Sequence, residues 1–354
     1  MAYTTIDDPS AYFQVATYTG AGANQTVTND GNSDLQPDWL WIKRRNAGYA
    51  HALFDSNRGL GSSNPPMLES DSTAAENSNQ NWISGVGTDS FTIGVNEHNL
   101  SNTAGTYVAW QWKANGGTTS SNTAGTITST TQVNSDAGFS IQTFTSASSG
   151  NSNWGHGLGS TPDFFMVKRR DGTSSWWMNQ TGMTRSGSNW QYMPLNSTSA
   201  ATNLSAFNAD STTITSSNDF VPNSASMVCY AFKNVQGYSK FGKYVGSGSA
   251  DGAFVYTGFQ PAFVIIRSSS IAGQWLMFDN KRTIANGDIK YLIANATGAE
   301  SGTGLGNAAP IDFLSNGFKL RNTDAWANGS NTYIYMAFAE NPFVTSTGIP
   351  TTAR

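Results

Sequence analysis

PDWLWIKRR occupies residues 37–45, PDFFMVKRR 162–170 and PAFVIIRSS 261–269. These three near-copies decide the fold. Three further anchors follow each copy in the same order. LFDSNRG (53–59), WMNQTGM (177–183) and MFDNKRT (277–283) form the first set. LESDSTAAE (68–76), LNSTSAATN (195–203) and LIANATGAE (292–300) form the second. TYVAWQW (106–112), SMVCYAF (226–232) and TYIYMAF (332–338) close each copy. Fixed order and near-constant spacing are the mark of an internally repeated architecture.

The anchors read as strands. In WLWIK, Trp39 and Trp41 share one face, Leu40 and Ile42 the other. Apolar residues on both faces predict a strand covered on both sides. Turns rich in Gly, Asn and Ser separate the strands, and helical periodicity is absent. The prediction is an all-β chain of three tandem β-sandwich modules, each near the ~100 residues of such a module and each with its own interior. Their bounds are 11–117, 137–236 and 237–343. Residues 1–10 read as an extended arm, 118–136 as a Gly/Ser/Thr-rich connector that is flexible or loosely paired, and 344–354 as a tail.

Composition excludes several functions. Charged residues are 12 % of the 354, and the net charge is -4. That is too little clustered positive charge for general nucleic-acid binding. Aromatics at 12 %, with 11 Trp, rule out a disordered chain. Cys229 is the only cysteine, so no disulfide forms within the chain, and its apolar neighbours predict a buried thiol. No apolar stretch reaches the ~20 residues of a membrane span. The opening residues lack the pattern of a signal peptide, which predicts synthesis and retention in the cytoplasm until assembly.

A catalytic site is not expected. Glycan hydrolysis needs two carboxylates across a groove, and the chain has five glutamates: Glu69, Glu76, Glu97, Glu300 and Glu340. Glu76 and Glu300 hold matched positions, with Asn203 in the second copy. They read as turn residues sooner than general acids. His51, His98 and His156 have no metal-ligand spacing. Asp55 and Asp279 recur after Phe. A calcium ligand is one reading; a turn-forming Asp with Arg58 or Arg282 as partner is preferred, so no metal or cofactor is assigned. KRR at 43–45 and 168–170 reads as a solvated strand edge ahead of an anion site. Trp82, Trp154, Trp190 and Trp326 lie outside the anchors in polar stretches. They are the candidates for aromatic platforms under a sugar, against the alternative that they plug the sandwich ends. Trp39, Trp41, Trp110, Trp112 and Trp275 are core by periodicity.

TTIDDPSAYFQVATYTG, PDWLWIK, FDSNRG, TYVAWQWKA, GHGLGSTPD, IDFLSNGFKLRN and TYIYMAFAENPF resemble a family of repeat-containing virion proteins of tailed bacteriophages, common among marine ones. The resemblance covers essentially the whole chain. It implies concanavalin-A-like jelly-roll modules of the lectin and glucanase type, and a non-enzymatic virion surface part. That part is a tail fibre, a tail appendage or a capsid-decorating knob, with lectin-like attachment to host surface polysaccharide. It further implies other virion proteins as partners and a symmetric homo-oligomer, with a trimer expected. Asp7, Asp8 and Pro9 are the candidate docking residues of the arm. The alternatives are a tailspike-type glycan hydrolase and a structural spacer without ligand. The second copy departs most, with Met178-Asn179 where the others carry Phe-Asp.

Overall fold

The computed structural model describes residues 2–282, 290–301 and 311–351. Met1 of the expected arm, Thr283 of the third anchor and 352–354 of the expected tail lie outside the described residues. The chain is all-β. The first repeat holds β1 (Phe13–Thr19), β2 (Gln25–Thr28), β3 (Trp39–Arg44), β4 (Ala52–Asp55), β5 (Ile83–Gly87), β6 (Ser90–Ile93) and β7 (Thr106–Trp112). The second holds β8 (Ser120–Asn122), β9 (Ser129–Asn134), β10 (Phe139–Thr145), β11 (Ser152–Gly155), β12 (Phe164–Arg169) and β13 (Trp177–Gln180). It continues through β14 (Arg185–Ser186), β15 (Asn189–Pro194), β16 (Thr202–Asn203), β17 (Phe207–Ala209), β18 (Thr213–Ser216) and β19 (Ser226–Phe232). The third holds β20 (Ser239–Val245), β21 (Phe254–Tyr256), β22 (Phe259–Ser268), β23 (Leu276–Asp279), β24 (Leu292–Ile293), β25 (Ile311–Leu314), β26 (Gly317–Leu320) and β27 (Thr332–Pro342).

Each repeat has an inner and an outer layer. The first has an inner sheet β1-β7-β3-β4 and an outer sheet β2-β6-β5; the third has β20-β27-β22-β23-β24 and β21-β26-β25. In the second, β13-β12-β19-β10-β9-β8 is inner and β11-β18-β17-β15 outer. Pairing of β15 with β13 makes them one continuous sheet.

Inner-strand register explains the doubly apolar anchors. Trp39 pairs with Trp112 and Trp41 with Trp110. Phe164 pairs with Phe232 and Met166 with Tyr230. Phe263 pairs with Phe338 and Ile265 with Met336. All of these side chains enter one cluster shared by the three repeats. Their neighbours on the opposite faces, Leu40, Phe165 and Val264, go to three separate clusters between inner and outer layers. The expectation of three self-contained interiors is therefore corrected: one face of each anchor fills a private core, the other a common one. Rings cross between repeats there, with Trp39 stacked on Tyr230 at 4.7 Å, Trp110 tilted against Phe263 at 5.4 Å and Phe232 edge-on to Phe338 at 5.6 Å. Such pairs add about 0.5–1.5 kcal/mol each beyond area burial.

Two expected boundaries change. The 118–136 stretch is no slack spacer, because β8 and β9 extend the second inner sheet, with β9 paired to β10 from Asn134 to Thr130. Thr131 and Gln132 are buried. The arm does not project either. Tyr3 donates to the Gly258 carbonyl at 2.7 Å and Thr4 to that of Gln236 at 2.6 Å. Asp7 accepts from the backbone N–H and hydroxyl of Ser346, and Asp8 caps a short 3-10 turn over Pro9–Ala11. Ile6 and Pro9 are buried. Residues 2–10 are a strap over the third repeat.

Candidate functional site

The recurring charges join the repeats to one another. Lys43, Lys168 and Arg267 stand at the same position of the three anchors, and all are fully buried. Lys43 Nζ donates to the carbonyls of Tyr49 at 2.6 Å and of Thr297, in the third repeat, at 2.9 Å. Lys168 Nζ donates to those of Thr73 and Ala74, in the first, at 3.1 and 2.8 Å. Arg267 donates to those of Thr198 and Ser199, in the second, at 2.6 and 2.8 Å. Burial pushes both lysines down to about 8. Two residues on, Arg45 grips Glu300 and Arg170 grips Glu76 in bidentate pairs of 2.9–3.0 Å. The first and third residues of each basic run thus serve the seams, with the two glutamates as partners of the third, while Arg44 and Arg169 between them stay half-exposed. At the third seam the arginine position is Ser269, whose carbonyl accepts from Ala201 N–H at 3.0 Å.

Asp55 is the N-cap of a 3-10 turn over Ser56–Arg58 and Asp279 caps the matching turn, each bonded to the arginine three residues on. Arg58 Nε lies 2.5 Å from Asp55 Oδ2, and Arg282 Nε lies 2.6 Å from Asp279 Oδ2, with no exposure on either pair. Each carboxylate also takes a donor from another repeat: the Tyr230 hydroxyl at 2.5 Å and the Trp110 indole N–H at 3.1 Å. This is the turn-and-arginine reading, extended across a seam. The second copy needs a shift of one. Phe164 pairs with Gln180 as Trp39 does with Asp55 and Phe263 with Asp279. Gln180, not Asn179, therefore stands for the aspartates, Met183 stands for the arginines, and Met336 stands for Tyr230 and Trp110. All three ionic or donor groups are replaced together.

His51 and His156 are buried and held as neutral tautomers. Trp41 Nε1 donates to His51 Nδ1 at 2.8 Å, and His51 Nε2 meets the Ile293 carbonyl at 3.0 Å. Leu158 N–H donates to His156 Nδ1, and its Nε2 meets the Asp210 carbonyl. Only Nε2-protonated rings satisfy both contacts. Burial lowers both from the ordinary value of 6.5. The unfolded chain then takes up protons below about pH 6.5 that the folded one refuses, so stability falls as pH falls. The slope has a ceiling of about 1.4 kcal/mol per pH unit for each histidine, reached where the unfolded ring is protonated and the folded one neutral. Urea melts between pH 7 and 5 check it, and His51→Gln should remove one proton's share.

The tryptophan platforms are not where the sequence placed them. Trp82, Trp154 and Trp190 are buried, with relative exposures of 4 %, 0 % and 7 %. Trp154 stacks on Phe144 at 4.4 Å, and the Arg185 guanidinium sits 4.2 Å over Trp190. No face of these rings is open to a sugar. Trp326 is half-buried over Gly273. The open aromatic face lies instead on β21, where Phe254 is 47 % and Tyr256 53 % exposed around buried Val255. Gly317 on the neighbouring strand admits the Phe254 ring, since a Cβ there would lie 3.2 Å from it and 2.1 Å from the Val255 carbonyl. Lys319, paired to Asp251, and Arg321, paired to Asp312, border the patch. The period-two signal FVY was present in the sequence, but nothing in it says which face is outermost. Asp251 and Asp312 are each held by a cation, and Glu76 and Glu300 by arginines.

No curated protein and no solved structure matches the chain. One family model, described as a domain of unknown function (DUF7483), matches residues 8–342, so that a single unit spans all three repeats. The chain belongs to the DUF7483 family.

Proposed function

We propose that this protein is a non-enzymatic structural part of a bacteriophage virion surface that attaches to host surface glycans. It serves as a tail fibre, appendage or capsid-decorating knob. The observation that carries the attachment is the Phe254–Tyr256 face. Two rings on an edge strand, bordered by Asp251, Lys319 and Arg321, offer stacking to the apolar side of a sugar and hydrogen bonds to its hydroxyls. The resemblance to phage virion proteins supports the setting. The recurring acids serve as seam partners, which supports a structural role over a hydrolytic one.

The jelly-roll reading of each repeat rests on strand order. In the first repeat β1 and β3 flank the last strand and β2 pairs with the penultimate one; β20-β27-β22 with β21-β26 repeat this order, as do β10-β19-β12 with β11-β18 once β8 and β9 are set aside. This is the wrapping of a hairpin folded twice on itself. Other virion proteins are the proposed partners. One chain already closes three repeats around a common interior, so the proposed trimer is not required to complete a core. Docking by the strap, through Asp7 and Asp8, is best tested by point substitution, because deleting 2–10 removes buried Ile6 and Pro9 as well.

Gold-labelled antibody on purified particles should decorate the virion surface. Label confined to the unassembled fraction removes the virion assignment. Phe254→Ala with Tyr256→Ala should lower glycan and host-cell binding at least tenfold without changing the thermal melt. Undiminished binding removes this face as the attachment surface.

A further inference from the structure

The three seams carry matching turns, and the residue two places after the aspartate position fills each of them differently. At the first–second seam Asn57 donates to the carbonyls of Thr130 and Ile141 at 2.9 and 3.1 Å and accepts from Gln132 at 2.6 Å. The space is filled. At the second–third seam the corresponding residue is Gly182, so close to the neighbouring strand that a Cβ would sit 2.9 Å from the Gly242 carbonyl. At the third–first seam it is Lys281, which turns outward to Asp30 at 3.0 Å. A cavity of about 140 Å³ opens there between β1, the 30–32 loop and the ends of β22 and β27.

Two irregularities shape this cavity. The β22–β27 register shifts between Gln260 and Pro261 and again between Pro261 and Phe263, leaving Ala262 and Glu340 as extra residues. The matching pairs β3–β7 and β12–β19 run without a shift. Bulges of this kind re-aim side chains and cluster beside binding sites. Here both extra residues line the cavity. Most of its lining is polar, and Phe13, Val15, Ala262 and Ala339 give it a smaller apolar part. Its rim carries Asn32, Glu340 and Asn341. Among the described residues, these three side chains make no hydrogen bond or ion pair.

We infer that the third–first seam is a binding site for one neutral sugar unit, the end of a glycan or a free monosaccharide. The mainly polar lining suits a ring covered in hydroxyls, and its smaller apolar part meets C–H groups of that ring. A carboxylate and two amides supply acceptors and donors for its hydroxyls. Two acids against one lysine disfavour phosphate, sulfate or an acidic sugar. The volume is below the ~300–1,000 Å³ of drug-sized pockets, which limits occupancy to about one residue. The site deepens the attachment reading, on which it rests for its ligand class, and is separate from the Phe254–Tyr256 face.

Saturation-transfer NMR on the full chain with glucose, galactose, mannose and N-acetylglucosamine tests it. At least one should give signal at millimolar concentration, and Glu340→Ala with Asn341→Ala should weaken it tenfold or more. The measurement is made in the Phe254→Ala/Tyr256→Ala background, so that the signal does not come from the β21 face. Glu340 and Asn341 are half-buried and unpartnered, so the double variant should keep its thermal melt, and Lys281→Trp offers an independent block. Silence from all four sugars, or binding that survives both the double variant and the block, overturns the site. Particle labelling decides the virion reading separately. A labelled particle with a silent cavity sinks this inference alone, and a bound sugar without particle label sinks only the virion assignment.

Discussion

Arg58→Met should cost the fold about 3–5 kcal/mol in urea unfolding at pH 7, the usual penalty for stranding one member of a buried ion pair. Asp55 would keep its own cap and the Tyr230 hydroxyl but lose the only fully buried cation beside it. The protein itself supplies the rescue. Its second–third seam carries Gln180, Met183 and Met336 where the others carry Asp, Arg and a ring donor. Adding Asp55→Gln, then Tyr230→Met, should therefore recover most of the loss, because an apolar or neutral set of similar volume is often as stable as the ion pair it replaces. A single-variant cost below about 1 kcal/mol would place the pair in effective contact with water. A triple variant no better than the single one would show that the three seams are not equivalent.

The second large effect concerns the modules. Residues 2–236 expressed without the third repeat should lose near-UV circular dichroism and bind a hydrophobic dye. Phe13, Trp110, Trp112 and Phe232 contact Phe263 or Phe338 in the common interior. Exposing four large side chains at about 1.5–3 kcal/mol each forfeits about 6–12 kcal/mol. That is comparable to the ~5–15 kcal/mol that holds a domain together. A cooperatively melting two-repeat fragment would mean that the private cores suffice.

The strands were legible and their surroundings were not. Alternation identifies WLWIK, FFMVK and FVIIR as doubly covered, and they are. It cannot say that Trp39 and Phe263 meet the same interior, because that is a relation between segments 224 residues apart. Letter matching set Asn179 against Asp55, whereas strand pairing sets Gln180 there, and pairing follows the ladder rather than side-chain identity. Trp154 and Trp190 were misplaced for a related reason. Polar neighbours point outward from the same strands that bury the indoles, as Asn153 does beside Trp154 and Asn189 and Gln191 do around Trp190. The cavity had no signal in any one stretch. It depends on residues 10–32 and 262–341 converging, and on two bulges that leave no mark in composition.

A chain assembled from look-alike pieces faces a hazard in closing them in the wrong rotational sense. The uneven charges act as a key against it. With the ring closed the other way round, Arg45 would face Asn203 and lose its acid, and Glu76 would face Ser269 and keep only its 3.5 Å contact with Arg58. Asp55 would meet Met336, which has no proton to give. Divergence at one junction thus tells the growing polypeptide which neighbour belongs on which side.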